Sequence, residues 1–334
     1  MPNPLLSVII PTYGRPSYLN RAVDSALCDM ASYDVEVLVI PNGPDDSWRG
    51  PLEKYRDIPS IHVYPISIAH ANVARNIGLK QATGTYIRFL DDDDYLIAGN
   101  ADKQIQLLEQ TGAEICSGLI ENVDSDLSSL GILSFPETQD FVSAVLTLSG
   151  FRLPVGNLFR RETLITTGAK WREDLPRAQD LMWMIDLAKQ REWKWVHFPK
   201  PVGVWFQHEG DRLSTVKPRN DKPIQIINAL FDLYEKLDKN QRLTTERLET
   251  LSSLLWNYIH WRFPYDMIYW TKVAHRTLRI APDSRPDHAI FENAWLKHAN
   301  PLLAELILAF PRKVSTLLRE TKRNLTGWDY RRRL

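Results

Sequence analysis

The stretch Tyr86-Ile87-Arg88-Phe89-Leu90-Asp91-Asp92-Asp93-Asp94 decides the fold, because an apolar strand runs straight into four consecutive carboxylates. A chain concentrates that much negative charge at a strand end where a positive partner sits. In extended backbone, side chains two apart share a face about 6.6 Å apart, so the spacing predicts Asp91 and Asp93 in one cleft, with Asp92 and Asp94 turned elsewhere. Hard carboxylate oxygens suit Mg²⁺ or Mn²⁺, which take further ligands from substrate phosphates. A nucleotide diphosphate fits that description. A solvated acidic turn or a Ca²⁺ loop is the competing reading, although the alternating acids, central Gly and distal Glu of an EF-hand are missing.

Working outward, Leu6-Ser7-Val8-Ile9-Ile10 reads as a buried strand stopped by Pro11-Thr12-Tyr13-Gly14-Arg15-Pro16. Leu19, Ala22, Val23, Ala26 and Leu27 then follow the helical period, with Pro16 in the first turn where its missing N–H costs nothing. Val35 to Ile40 is a second strand, ending in Pro41-Asn42-Gly43-Pro44-Asp45-Asp46. Ile61 to Tyr64 is a third, before a helix carrying Ala74-Arg75-Asn76-Ile77-Gly78, and Thr85 to Leu90 is the fourth. Strands alternating with helices predict a Rossmann-like α/β fold, a mostly parallel sheet flanked by helices. Ligands of such sheets bind beyond the carboxyl ends of the strands, where three polar loops would converge.

These segments resemble, in order and spacing, the inverting family 2 glycosyltransferases of GT-A fold, of the bacterial surface-polysaccharide type. The resemblance rests on Ser7 to Tyr13, the Asn42-Gly43 turn, Ala74-Arg75-Asn76-x-Gly78 and Phe89 to Asp94, and spans about residues 5 to 215. It implies transfer of a hexose from a nucleotide diphosphate sugar, a UDP-sugar first among donors, to a hydroxyl of a glycan or lipid-linked glycan. Mn²⁺ or Mg²⁺ would be held by an Asp-x-Asp element. By the same resemblance, Pro11, Thr12, Tyr13 and Arg15 belong to the donor nucleotide loop, where a strand-ending turn is their structural role. Arg75 would face the diphosphate or base pocket, unless it is a helix-surface arginine. Asp91 or Asp92 would meet the ribose, and Asp93 the metal. At Pro41 many relatives carry an acidic residue that reads uracil; proline has no side-chain acceptor and no backbone donor, which leaves the reading to Asn42 or nearby backbone.

Displacing a nucleotide diphosphate with a hydroxyl requires a base for the departing proton. Asp180 is the candidate, in Pro176-Arg177-Ala178-Gln179-Asp180 ahead of Leu181, Met184, Ile185 and Ala188 on one helical face. The family commonly has Glu-Asp there, and the upstream Gly156 to Glu162 is also family-like. A plain N-cap is the alternative, and a helix N-terminus is expected to keep the carboxylate ionised. Trp205-Phe206-Gln207-His208-Glu209-Gly210-Asp211-Arg212-Leu213-Ser214 resembles a segment that closes over metal or diphosphate. There His208 would be a metal ligand and Arg212 and Ser214 lid residues on the diphosphate; a packed, satisfied histidine is the bland alternative.

The chain has 334 residues, 44% hydrophobic and 10% aromatic, with zero formal net charge. That length supports a large core, and the charge disfavours general nucleic-acid binding. Two cysteines, Cys28 and Cys116, are too few for a disulfide framework, so a cytoplasmic setting is expected. No leader and no bilayer-length apolar run are read. The expected organisation is a catalytic domain at 1–220, with a nucleotide-binding half at 1–115 and an acceptor half at 116–220, and a helical extension at 221–334. Helices are expected at Ile224–Leu237, Leu243–Arg262, Tyr265–Leu278, Ala289–His298 and Leu302–Arg323. Aromatics at Trp256 to Trp261 and Met267 to Trp270 read as core, or as an acceptor or membrane groove. Pro311 to Leu334 carries eight basic and two acidic residues, net +6, interleaved with Val314, Leu317, Leu318, Leu325, Trp328 and Tyr330. This is the composition of a peripheral helix on anionic lipid at the inner face of a membrane, or of a solvated tail. A sugar-nucleotide pyrophosphorylase and a non-catalytic glycan-binding protein are the other classes considered. The first lacks its Gly-rich lysine loop here, and the second draws only on Pro41 and Gln179. Sugar, acceptor, linkage and oligomeric state are not written in the sequence.

Overall fold

A computed structural model describes residues 5–29, 34–147, 149–175, 177–208, 223–288, 291, 296 and 298–326, with side chains of the last helix described as far as Val314. The chain divides into two compact units, Met1–Lys217 and Pro218–Leu334.

The first unit begins with β1 (Leu6–Thr12), α1 (Pro16–Leu27), β2 (Val35–Pro41), the short α2 (Arg49–Leu52), β3 (Ile61–Val63), α3 (Ala71–Gln81) and β4 (Tyr86–Phe89). Every residue of β1, β2 and β4 is buried, which explains why they read as unbroken apolar runs rather than alternating ones. They pair in parallel in the order β3-β2-β1-β4, with Thr12 opposite Pro41 and Ile9 opposite Phe89. Their loops therefore leave on one edge of the sheet. α1 presents Leu19, Ala22, Val23 and Ala26 to the core, with Pro16 at its start. α3 approaches β1 so closely that a Cβ on Gly78 would lie 2.3 Å from Ile9 Cγ2. The glycine is what allows the helix to sit there.

Beyond β4 the sheet becomes mixed. The elements are β5 (Tyr95–Leu96), α4 (Ala101–Thr111), β6 (Ile115–Val123), β7 (Ser129–Leu133), α5 (Phe141–Leu146), β8 (Asn157–Arg160), α6 (Arg161–Thr166), α7 (Gln179–Gln190) and β9 (Trp195–Phe206). β8 runs antiparallel to both β4 and β6, β9 parallel to β6, β5 antiparallel to β9, and β7 forms a hairpin with β6. The parallel half thus carries the loops after β1, β2 and β4 on one edge, and the mixed half brings β9 and its end back beside β5. One charge lies deep in this core. Arg88 of β4 is fully buried, with Nε 3.1 Å from Asp29 Oδ2, and donates to Val155 O at 2.8 Å and Gln104 Oε1 at 2.6 Å. Burial pushes the Asp29 carboxyl up to about 6 despite Arg88.

The second unit is helical in its described part: α8 (Ile224–Lys239), α9 (Thr245–Arg262), α10 (Met267–Ile280) and α11 (Pro301–Thr326). α9 and α10 start later than their apolar periodicity suggests, because capping side chains set their ends. Thr244 accepts the Arg247 N–H at 3.2 Å, and Asp266 the Tyr269 N–H at 3.0 Å. The helix expected at Ala289–His298 falls largely outside the described residues. No helix among the described residues is long and apolar enough to cross a membrane.

Candidate active site

β4 ends at Phe89, and Asp91–Asp94 form a turn closed by the Asp94 N–H donating to Asp91 O at 3.1 Å. The backbone turns here and does not stay extended, yet Asp91 and Asp93 fall together and Asp92 apart as expected; Asp94, expected elsewhere, joins the first two. Asp91 Oδ1 accepts from Arg75 Nη2 at 2.5 Å. Asp92 Oδ2 accepts from Thr12 Oγ1 at 2.7 Å and the Tyr13 N–H at 3.3 Å, and Asp92 Oδ1 from Arg15 at 3.2 Å. Asp93 Oδ2 meets Arg15 Nη1 at 2.7 Å and His208 Nε2 at 3.0 Å. Asp94 Oδ1 accepts the Phe206 N–H at 3.0 Å. The grouping is therefore Asp91, Asp93 and Asp94, whose ligand oxygens lie within 4.8 Å of one another, with Asp92 held apart in the β1 loop. His208 is not in that triad, but it touches Asp93. Burial raises Asp92 to about 7, against the pull of Arg15 and the Thr12 hydroxyl.

A residue that sequence reasoning missed supports this turn. Arg21 of α1 donates from Nη2 to the Asp93 carbonyl at 3.0 Å. Its guanidinium lies 4.0 Å from the Phe206 ring centroid and 4.4 Å from that of Tyr95, a cation–π sandwich. Tyr18, one turn earlier, packs its ring 4.6 Å from His208. Tyr18 and Arg21 stand i,i+3 on one face of α1, but that face looks polar until β5 and β9 are placed against it.

In the donor-type loops, Pro11 is buried inside β1, paired with Ile40, and Thr12 is tied to Asp92, so the exposed member of the trio is Tyr13, at 50%. Its ring rests on Gly43, whose φ is +98° and where a Cβ would meet Tyr13 Cε2 at 2.7 Å. Asn42 spends both its backbone N–H and its side-chain amide on Thr12 O, each at 2.9 Å. It fastens the two strand ends together.

α3 ties these loops to the segment that leads into α7. Asn72 donates to Arg172 O at 2.7 Å, and Asn76 exchanges two bonds of 2.8 Å with the Trp171 backbone. Arg75 is buried rather than on the helix surface: it donates to Asn72, to Gln179 at 2.9 Å and to Asp91, and stacks 4.5 Å from the Trp171 ring. Trp171 in turn lies parallel to Trp183 of α7, centroids 4.6 Å apart, with Phe89 edge-on to both. The strand that ends in the aspartate turn and the helix that carries Asp180 are thus packed through one aromatic cluster.

Asp180 is the second residue of α7, not its cap. The cap position is Ala178, at φ +53°, which makes no side-chain cap bond. The carboxyl is raised, not lowered: burial and the neighbouring Asp91 outweigh Arg75 and Arg152. The helix-end argument loses because desolvation and a like charge act on the carboxylate directly. Arg212 and Ser214 lie outside the described residues.

Residues 7–166 match the family model described as Glycosyl transferase family 2. The uncharacterized glycosyltransferase EpsJ of Bacillus subtilis is 27% identical over 199 residues, 57% of each chain. A GalNAc(5)-diNAcBac-PP-undecaprenol beta-1,3-glucosyltransferase of Campylobacter jejuni is 25% identical over 253 residues, 73% of this chain and 77% of that protein. The chain spans about half the length of relatives such as EpsJ. The structure of Staphylococcus aureus TarS residues 1–349 with UDP-GlcNAc superposes with a TM-score of 0.66 at 18% identity, over 84% of this chain and 82% of that one. This agrees with the GT-A fold expected from the strand-and-loop order. Over residues 7–166 the chain is thus similar to glycosyltransferase family 2.

Proposed function

We propose that the chain transfers a sugar from a nucleoside diphosphate sugar to a hydroxyl of a glycan or lipid-linked glycan, by a single inverting displacement. The observation that carries this reading is that Arg75 bonds Asp91 of the acidic turn and, through Gln179, reaches the start of the helix bearing Asp180. A charge-binding cluster and a carboxylate of raised proton affinity are thereby joined by one buried arginine.

Asp91, Asp93 and Asp94 offer only hard oxygen donors, a set that fits Mn²⁺ or Mg²⁺. Such an ion supplies charge neutralisation for a departing diphosphate when bound. The chain's own residues do the rest. Arg15, paired with Asp92 and Asp93, and His208, on Asp93, stand where a phosphate would draw them from carboxylate to ligand. The exposed ring of Tyr13 offers a stacking face to a base. Asp180 takes the acceptor proton: no hydrogen bond reaches its carboxylate among the described residues, so a lone pair is free to do so. Residues 1–115 would act as the nucleotide half and 116–220 as the acceptor half.

Uridine diphosphate is the first donor to test, because the similar TarS structure holds UDP-GlcNAc. The name of the Campylobacter jejuni relative supports a polyprenol-linked acceptor. The test is thermal stability, and nucleoside diphosphate release, across UDP-, GDP- and dTDP-sugars with and without Mn²⁺. One nucleotide should raise the melting temperature only with metal and be turned over. No shift and no release at millimolar nucleotide would contradict the reading and favour a binding protein that uses no sugar nucleotide.

A further inference from the structure

α11 is apolar on two faces. One face, Leu302, Ala304, Glu305 and Ala309, is buried within the helical unit. The other, Leu303, Leu306, Ile307, Phe310 and Val314, follows the i, i+3, i+4, i+7 spacing of a single stripe and is exposed, with Ile307 at 61% and Phe310 at 76%. A contiguous exposed stripe of this size is not ordinary surface. The helix is also fixed in orientation, because its buried face carries a polar clasp: Glu305 Oε1 lies 2.6 Å from His260 Nδ1, and Glu305 is paired with Arg312. It therefore presents the stripe outward as a built surface.

The same unit exposes Trp261 before, Tyr265 in, and Met267 and Ile268 after the turn Phe263–Tyr265 against which α11 packs. Aromatic and long apolar side chains of this kind settle at a lipid headgroup boundary. Along the sequence, Lys313, Arg319, Lys322 and Arg323 follow within the helix, and Arg331 to Arg333 beyond it, against Glu320 and Asp329.

We infer that α11 lies in the plane of an anionic lipid surface, its Leu303–Val314 stripe in the acyl boundary and the basic segment on the headgroups. This goes beyond the transfer reaction and does not depend on it. Charge selects the occupant. A second copy of the chain on the same stripe would bring two segments of net +5 together, whereas phosphatidylglycerol-type headgroups neutralise them. The bilayer is met sidewise, as the helix is too polar to span it.

The experiment is flotation of the full chain with phosphatidylcholine vesicles, with and without about one third phosphatidylglycerol. The wild-type protein should float with the anionic vesicles alone and be released by high salt. Ile307→Asp with Phe310→Asp, both exposed and so compatible with folding, should weaken binding about a hundredfold or more while leaving the circular dichroism and melting temperature unchanged. A second variant, Arg319→Gln with Lys322→Gln and Arg323→Gln, should weaken it about a hundredfold and flatten the salt dependence. No flotation of the wild type, or equal flotation of the Ile307/Phe310 variant, overturns the proposal. So does a concentration-dependent dimer that this variant abolishes, which would assign the stripe to a second copy.

Discussion

Asp92, buried, and Asp180, half-buried, both carry carboxyls raised above the ordinary carboxylate range, and their surroundings differ. The Asp92 oxygens are met by the Thr12 hydroxyl, the Tyr13 N–H and Arg15. No hydrogen bond reaches the Asp180 carboxylate among the described residues; only the charges of Asp91, Arg75 and Arg152 act on it. Proton affinity by itself therefore does not mark a base. Asp92 has its lone pairs committed to holding two loops in place, while Asp180 has one to give. In the proposed reaction the aspartate turn is the clamp and Asp180, at the start of α7, the acceptor of protons; Arg75 bonds to Asp91 and to Gln179 beside them.

Breaking the acceptor should have the largest effect. Asp180→Asn is expected to lower turnover about a thousandfold while nucleotide affinity stays within a few-fold of wild type, measured by initial rates and by calorimetry. Asp93→Asn attacks the clamp, and should weaken metal-dependent nucleotide binding about a hundredfold, with chelation of the metal reproducing the loss in the wild-type protein. If Asp93→Asn bound nucleotide normally and lost only turnover, the division between clamp and base would be wrong.

A buried carboxylate outside the site gives a third test by pH. Asp29 is raised from 3.8 to about 6 by burial, so between those values the folded state keeps a proton that the unfolded chain releases. Its contribution to stability is complete below about pH 4 and is lost as pH rises through about 6, a fall of about 3 kcal/mol. Asp29→Asn should flatten that part of the profile in denaturant titrations, whatever its overall cost to the Arg88 pair. The smallest effect is expected at Arg21. Arg21→Met keeps some packing but loses the bond to the Asp93 carbonyl, and should cost about tenfold in nucleotide affinity, with little change in turnover at saturation.

The contrast between clamp and acceptor was only partly legible in the sequence. The buried strands β1, β2 and β4 announce themselves as apolar runs, and the loops at their ends carry Tyr13, Asn42 and the aspartates. What periodicity misjudged in the tetrad was Asp94, because the alternation rule holds only while the backbone stays extended. Asn72 and Asn76 gave no sign that they bind the backbone near Trp171, and nothing local marks Arg21, since contacts between distant segments leave no local pattern. The antiparallel return of β9 beside β5 is hidden for the same reason; only the resemblance, which put both His208 and Asp93 on the metal, brought those two side chains together. Gly78 is an intermediate case: its place in the Ala74–Gly78 motif is plain, but its reason, the contact with Ile9, needs the fold.

The most direct test of the account is calorimetric titration of UDP with Mn²⁺ into Asp180→Asn and Asp93→Asn side by side. The account predicts near wild-type, metal-dependent binding to the first and loss of binding to the second. Loss of binding in Asp180→Asn, or metal-dependent binding retained by Asp93→Asn, would contradict it.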